Sequence, residues 1–326
     1  MLHTHHISQF TTASGHRQDI AVTYQIFGVT LGSAPVVLVN HALTGNSSVT
    51  GENGWWNDLI GAYKAIDTNC FTILAIDIPG NGFDGEEGNL IENYASFRVS
   101  DIARIQLEII DVLGIDELFA VIGGSLGGQI AWELAVLIPE RITHLIPIAT
   151  DWKATDWVIA QTKIQEQILI NSSEPIEDAR MHAMTFYRTP ASFKQKFNRQ
   201  KQEGKDYYAI ESWLTHHGKR LRERYSLKTY KLMNHLLGIA DITKGISDFK
   251  EVGKTIKAQV HLVAIDTDGL FLADEIFDTY TQLQEVGIAA SYAEIQSIHG
   301  HDAFLIEYDQ LDAIVKPIFQ EKMVCK

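Results

Sequence analysis

Two cysteines in 326 residues, Cys70 and Cys325, are too few for a disulfide framework and have no metal-ligand spacing. They read as two reduced thiols, as expected of a cytoplasmic chain. No apolar run approaches the ~20 residues that a membrane-spanning helix needs, and the first ten residues, MLHTHHISQF, carry neither a basic region nor an apolar core, so neither a helical span nor a secretory signal is expected. Positive charge is scarce as well. The net charge of −14 argues against a nucleic-acid partner. No H-E-x-x-H or paired-cysteine pattern supports a metal. His3, His5 and His6 read as a chance cluster in a frayed terminus.

What is present is the composition of a globular enzyme, 45% hydrophobic, with an uneven charge distribution. Residues 151–257 hold 19 Lys/Arg against 13 Asp/Glu, whereas the rest of the chain is strongly acidic. That basic stretch is either a surface for an anionic ligand or a solvated helical face. Around it, apolar runs of strand length alternate with helical periodicity. Strands are expected over 20–27 (antiparallel), 36–39, 71–78, 118–122 and 144–149, with helices over 55–66 and 100–113. In the second helix Ile102, Ile105, Ile109 and Val112 share one face, and Ser100 is the expected N-cap. Over 151–257 the strand pattern stops. Helix-like segments follow at 155–170, 176–187, 191–203, 207–224 and 227–237. Strands then return at 260–265 and 290–295, with helices over 273–286 and 303–319. The reading is an α/β fold with a mostly parallel central sheet flanked by helices. Its core comprises 1–150 and 258–326, and 151–257 is an inserted helical cap.

The stretch 118–135, LFAVIGGSLGGQIAWELA, runs from strand through Gly123-Gly124-Ser125-Leu126-Gly127-Gly128 into helix. This is the strand–turn–helix setting in which G-x-S-x-G presents a nucleophilic serine on a strained turn. A serine hydroxyl needs a base, and the base needs an orienting acid. In this architecture they follow in the order Ser, Asp/Glu, His, on loops after later strands. Asp268 is the expected acid, with Asp266 as the alternative or as a brace for the loop, and His301 is the expected base. Gly300 would help to aim the imidazole, and His299 reads as structural. The oxyanion of a tetrahedral intermediate needs two N–H donors, expected from Leu126 and from Leu43 in the loop after the early strand. His41 suits the shaping of that loop, and His216-His217 reads as part of a solvated face.

These residues resemble the α/β-hydrolase superfamily and, within it, the homoserine O-acetyltransferases. His41-Ala42-Leu43-Thr44-Gly45 is similar to the family's H-A-L-T-G loop, and residues 123–128 to its G-G-S-[LM]-G-G elbow. Phe186-Tyr187-Arg188, Phe193-Lys194-Gln195-Lys196-Phe197 and Ile210-Glu211-Ser212-Trp213-Leu214 resemble its cap segments. Asp268-Gly269-Leu270-Phe271 and Gly300-His301-Asp302-Ala303-Phe304-Leu305 resemble its acid and base motifs. The resemblance implies a ping-pong acyl transfer, in which Ser125 takes an acetyl or succinyl group from the CoA thioester and an amino-acid hydroxyl collects it. By the same resemblance Arg188 would hold the acceptor's carboxylate and Asp302 would meet its ammonium group. The basic cap is compatible with the CoA phosphates. Acetyl-CoA would be a substrate, and no permanently bound cofactor or metal is expected. The implied partners are small molecules, neither nucleic acid nor membrane, and a homodimer is compatible with the family. Two departures stand out. Gln129-Ile130 replaces the family's Met-Gln, and Ile76-Asp77-Ile78-Pro79-Gly80-Asn81-Gly82 replaces its longer Gly/Ser-rich segment, in a chain shorter than typical members.

Overall fold

Val36–Asn40 and Thr72–Ile76 are buried at every position. A strand can bury every residue only when layers cover both of its faces. The computed structural model, which describes residues 1–245 and 248–320, has that arrangement. In chain order the strands are β1 (Leu2–Thr11), β2 (Arg17–Gly28), β3 (Val36–Asn40), the short β4 (Ile60–Gly61) and β5 (Ile66–Asp67), β6 (Thr72–Ile76), β7 (Leu118–Gly124), β8 (Ile142–Ile148), β9 (Gln259–Ile265) and β10 (Ala290–Ile295). Eight of them form one sheet in the order β1-β2-β6-β3-β7-β8-β9-β10. The pairs β1–β2 and β2–β6 are antiparallel, and all pairs from β6 onward are parallel.

The chain moves from β3 outward to β6 and then returns to the other side of β3 with β7. Such a reversal opens a crevice beyond the carboxyl ends of the two strands, the usual place for chemistry in a parallel sheet. Alternate residues of β3 face opposite layers, Leu38 toward one apolar cluster and Val37 and Val39 toward the other. Helices α1 (Val99–Val112) and α2 (Leu126–Leu137) cover the first face. Between β8 and β9 come α3 (Asp156–Asn171), α4 (Pro175–Tyr187), α5 (Pro190–Phe197), α6 (Ala209–Arg222), α7 (Leu227–Ile239) and the short α8 (Phe249–Gly253). Helix α9 (Ala273–Glu285) precedes β10, and α10 (Tyr308–Gln320) closes the chain on the second face through Leu311, Val315 and Phe319. Among the described residues no helix is long and apolar enough to cross a membrane.

Several sequence expectations are corrected here. The amino terminus is not frayed: β1 pairs with β2 from Leu2↔Gln25 to Thr11↔Arg17. It escaped notice because only Ile7 and Phe10 are buried on it, so no apolar alternation marks it. The helix expected over 55–66 is a turn region carrying β4 and β5. Asn57 accounts for the difference. Its Oδ1 accepts from Gly51 N and Thr50 Oγ1, and its amide donates to Gly51 O, a local alternative to helical pairing. In α1, Ile102, Ile105 and Ile109 are buried but Val112 is 61% exposed. The cap of α1 is Arg98, whose N–H donates to Asp101 Oδ2 at 2.9 Å, rather than Ser100. Helix α5 stops at Phe197 because Asn198 and Arg199 turn left-handed, with φ of 41° and 58°. The last helix begins at Tyr308, after a 3-10 turn over Gly300–Leu305. Cys70 is disulfide-bonded rather than a reduced thiol. Cellular compartment sets only how frequent such bonds are, and Cys325 lies outside the described residues.

The corrected face of α1 can be measured. Ile105→Ala should lose about 2–5 kcal/mol of unfolding free energy in urea titration, and Val112→Ala less than about 0.5 kcal/mol. Equal losses at the two positions would contradict the orientation described.

Candidate active site

Strand β7 ends at Gly124 and α2 begins at Leu126, so Ser125 alone turns the chain. Its backbone takes φ 54° and ψ −125°, a strained conformation for a residue with a side chain. The turn is held from both sides. Ser125 N–H donates to Ile148 O of β8 at 2.9 Å, and Ser125 O accepts from Gly128 and Gln129 at 2.9 and 3.2 Å. Two glycines make the geometry possible. A Cβ on Gly127 would stand 2.3 Å from Asn40 O, and one on Gly123 would stand 2.5 Å from the Gly127 carbonyl carbon.

Asp268 and His301 leave the sheet on the loops after β9 and β10. Both are buried, and His301 Nδ1 lies 2.7 Å from Asp268 Oδ2. The other carboxylate oxygen accepts from the backbone N–H of Leu270 and Phe271 at 2.7 and 3.1 Å, which fixes the acid. A carboxylate only accepts, so Nδ1 carries the proton and Nε2 remains the basic nitrogen. Burial alone would lower the His301 pKa. The charge and hydrogen bond of Asp268, with Asp302 adding to them, outweigh it and raise the pKa above the ordinary value. Asp266 instead accepts from Ser297 N at 2.8 Å and braces the neighbouring loop. His301 and the serine turn meet on one ring. Phe304 lies 5.9 Å from the imidazole centroid and so close to Gly124 that a Cβ there would be 2.6 Å away. Gly300 has a left-handed φ of 66°, and a Cβ on it would stand 3.0 Å from Tyr187 O.

The loop after β3 is built around His41. Its Nε2 accepts from Ile78 N–H at 3.0 Å, so Nδ1 carries the proton and donates to Ala42 O at 2.8 Å. Gly45 N–H donates to the same carbonyl at 2.8 Å. The peptide whose oxygen takes these two bonds also carries the Leu43 N–H, so His41 orients that donor. Both nitrogens of His41 are thus committed to the backbone, and burial lowers its pKa against the opposing charge of Asp77. Asp77, which the sequence reading did not single out, ties this loop to the end of β6. Its Oδ1 accepts from Ser47 N and Asn81 Nδ2, and its Oδ2 from Thr23 Oγ1 and Ser47 Oγ, all at 2.7 Å. The only trace of it in the sequence is the Asp-x-Pro-Gly segment. Leu126 is the first residue of α2, where backbone N–H groups lack intrahelical acceptors.

Arg188, at the C-cap of α4, and Asp302, beside His301, come together as an ion pair, Nε to Oδ2 at 2.8 Å. His299 lies against them, its Nδ1 2.9 Å from Ser192 Oγ and 3.3 Å from Arg188 Nη1. Two further groups of α4 were missed. Tyr187 packs 5.5 Å from the His301 ring, and Arg180 lies over Tyr187 at 5.6 Å. Burial, countered by Arg180 and reinforced by Asp302, pushes the Tyr187 phenol up to about 12. Their seven-residue spacing on one helix face was the available signal. His217 packs on Trp213 at 4.2 Å and is half-buried, whereas His216 is exposed.

Residues 35–226 match the family described as the alpha/beta hydrolase fold. Homoserine O-acetyltransferase of Trichormus variabilis is 33% identical over 86% of this chain and 82% of its own length. The chain belongs to the homoserine O-acetyltransferase family of α/β hydrolases. Among solved structures, homoserine O-acetyltransferase from Bacillus anthracis superposes with a TM-score of 0.85 at 22% identity, covering 98% of this chain and 97% of that one. An acetylester hydrolase from Corynebacterium glutamicum superposes with a TM-score of 0.82 at 21% identity, covering 98% and 96%. Both support the fold. The homoserine O-acetyltransferase family is a family of enzymes, and the elbow, the Asp268–His301 pair and the His41 loop described above lie at the carboxyl ends of β3 and β7 or on the loops after β9 and β10.

The electrostatics of the pair yield a direct test. In an NMR titration the His301 ring of the wild-type chain should protonate above the ordinary imidazole value of about 6.5. Asp268→Asn removes the two largest raising influences and leaves burial opposed by Asp302 alone, so the midpoint should fall. An unchanged midpoint would refute the coupling.

Proposed function

We propose that this chain transfers an acetyl or other short acyl group from acyl-CoA to the hydroxyl of an amino acid such as L-homoserine, through an acyl-enzyme on Ser125. His301 Nε2 takes the proton as Ser125 Oγ attacks the thioester carbonyl. The negative charge that develops on the carbonyl oxygen is held by the N–H groups of Leu43 and Leu126. Collapse expels the CoA thiolate, which receives the proton from His301. The acceptor hydroxyl then attacks the serine ester, gives its proton to Nε2, and Ser125 leaves with it. Asp268 stays ionised throughout and stabilises the imidazolium. Residues 151–257 act as a cap over a core made of 1–150 and 258–326, and the cap's basic surplus suits the CoA phosphates.

The Arg188–Asp302 pair beside the base is the observation that carries this reading. An amino acid brings one charge of each sign. Its carboxylate can take the guanidinium while its ammonium group takes the Asp302 carboxylate, so neither half-buried charge is left without a partner. Water, the competing acceptor, offers no such exchange. With water the same acyl-enzyme would make the chain an esterase.

Incubation with acetyl-CoA, with and without L-homoserine, separates the two acceptors. Thiol release should accelerate with the amino acid and yield its O-acetyl ester, and a rate indifferent to homoserine would refute transfer. Ser125→Ala should lower turnover by about 10⁴-fold or more, as loss of an activated serine does elsewhere, and near-full activity would end the mechanism. Arg188→Ala should slow the acceptor half-reaction while sparing acylation of Ser125, and equal damage to both halves would remove Arg188 from its assigned role. The acylation rate should rise with pH through a midpoint above about 6.5, because only the neutral imidazole accepts the proton.

A further inference from the structure

The turn between α6 and α7, residues 223–226, meets the carboxyl edge of the sheet at consecutive backbone carbonyls. Tyr225 Oη donates to Leu43 O, and Arg224 Nη1 donates to Thr44 O at 2.7 Å. From the first turn of α7, Thr229 Oγ1 donates to Gly80 O, in the loop after β6, at 3.0 Å. One corner of the helical segment thus satisfies carbonyls on both loops that border the crevice. Leu43 and Tyr225 are both buried, so an unpaired carbonyl there would be costly. The Tyr225 phenol is raised by burial and stays protonated as a donor.

The placement matters because of how a peptide chain transmits orientation. The Leu43 N–H belongs to the peptide preceding Leu43, which His41 and Gly45 hold by the Ala42 carbonyl. The peptide following Leu43 is held by its own carbonyl, and that bond comes from Tyr225. With both planes fixed, φ and ψ of Leu43 are fixed and the N–H cannot swing. With the following plane released, the N–H is held by the Ala42 carbonyl bonds alone and gains freedom to tilt about them.

We propose that Tyr225, assisted by Arg224, is a positioning residue that holds the Leu43 N–H in line with the oxyanion. The helical segment is therefore part of the oxyanion machinery as well as a cover. This rests on the reading that Ser125 is acylated.

Tyr225→Phe deletes the bond but keeps the ring, which packs on Tyr230 at 6.2 Å and under Arg224 at 5.7 Å. Acylation of the full chain by p-nitrophenyl acetate, followed by stopped flow, needs no acceptor. Phenylboronic acid, whose tetrahedral serine adduct carries its charge where the oxyanion sits, reports the hole directly. The expected result is acylation slowed about tenfold, a fraction of the roughly 10²–10³ that loss of a donor itself costs. KM should stay within about twofold, and the boronate Ki should rise by a factor matching the rate loss. Arg224→Ala should give a smaller loss of the same kind, which Arg224→Lys restores. A merely structural tyrosine would lower the unfolding midpoint and leave the boronate Ki unchanged. That result, or a change confined to KM, would overturn the proposal. A wild-type chain that p-nitrophenyl acetate does not acylate would instead overturn the serine reading and this one with it, whereas an acylated wild type with an unaffected Tyr225→Phe overturns this one alone.

Discussion

The site depends on one backbone-to-backbone approach, that of Gly127 to the Asn40 carbonyl. With a Cβ at position 127 placed 2.3 Å from that oxygen, the first turn of α2 could not seat against the end of β3. Close packing leaves no slack for compensation, because cores transmit such a displacement rather than absorb it. The serine turn would then lift away from the loop that begins at His41, and with it would part the Leu43 and Leu126 N–H groups proposed as oxyanion donors. The strain at Ser125 is sustainable for the same reason. Its N–H is bonded to β8 and its carbonyl to α2, so the surroundings over-determine the conformation.

A second constraint governs the charges. Asp77 and Asp268 are both almost wholly buried, and each is surrounded by donors rather than solvent. Asp77 takes four hydrogen bonds from hydroxyl, amide and backbone groups and serves as a knot between loops. Asp268 takes two backbone bonds and one imidazole, and its charge is directed at His301. Two carboxylates of similar burial therefore do different work according to what donates to them. Each has a histidine neighbour, but His41, 3.9 Å from Asp77, has both ring nitrogens bonded to the backbone, whereas Asp268 bonds only Nδ1 of His301.

Much of this was legible in the sequence. The continuous apolar runs of β3, β6 and β7 could only be covered strands, and the glycine pattern around Ser125 could only serve a tight strand-to-helix turn. The loops carrying Asp268 and His301 followed from chain order. What escaped notice shares one property: its signal is not local. Strand β1 carries almost no apolar face, and its pairing is specified by β2. The Trp55–Trp56 segment mimics helical spacing, and Asn57 overrides it through contacts with Gly51. Tyr225 and Arg224 act on residues about 180 positions away, where no periodicity can reach. Val112 continues the stripe of α1 by spacing, yet as the last residue of the helix it is exposed.

The choice between water and an acceptor cannot lie in the serine, the imidazole or the carboxylate, since all three would do the same work in hydrolysis and in transfer. It has to be made by groups that bind an acceptor more tightly than water or that deny water a place. α4 and its C-cap bring the groups suited to this. Tyr187 covers one side of the imidazole with an apolar face, Arg180 lies above Tyr187, and Arg188 reaches Asp302 next to the base. In the proposed transfer, a helix that both dries the base and offers charge to a zwitterion would bias the partition toward the acceptor by two independent means. The bias would weaken if α4 moved away from the loop carrying His301. Gly300 permits the close approach, because a Cβ at position 300 would meet the Tyr187 carbonyl at 3.0 Å. The residue just before the base thus sets how closely the helical segment can approach it.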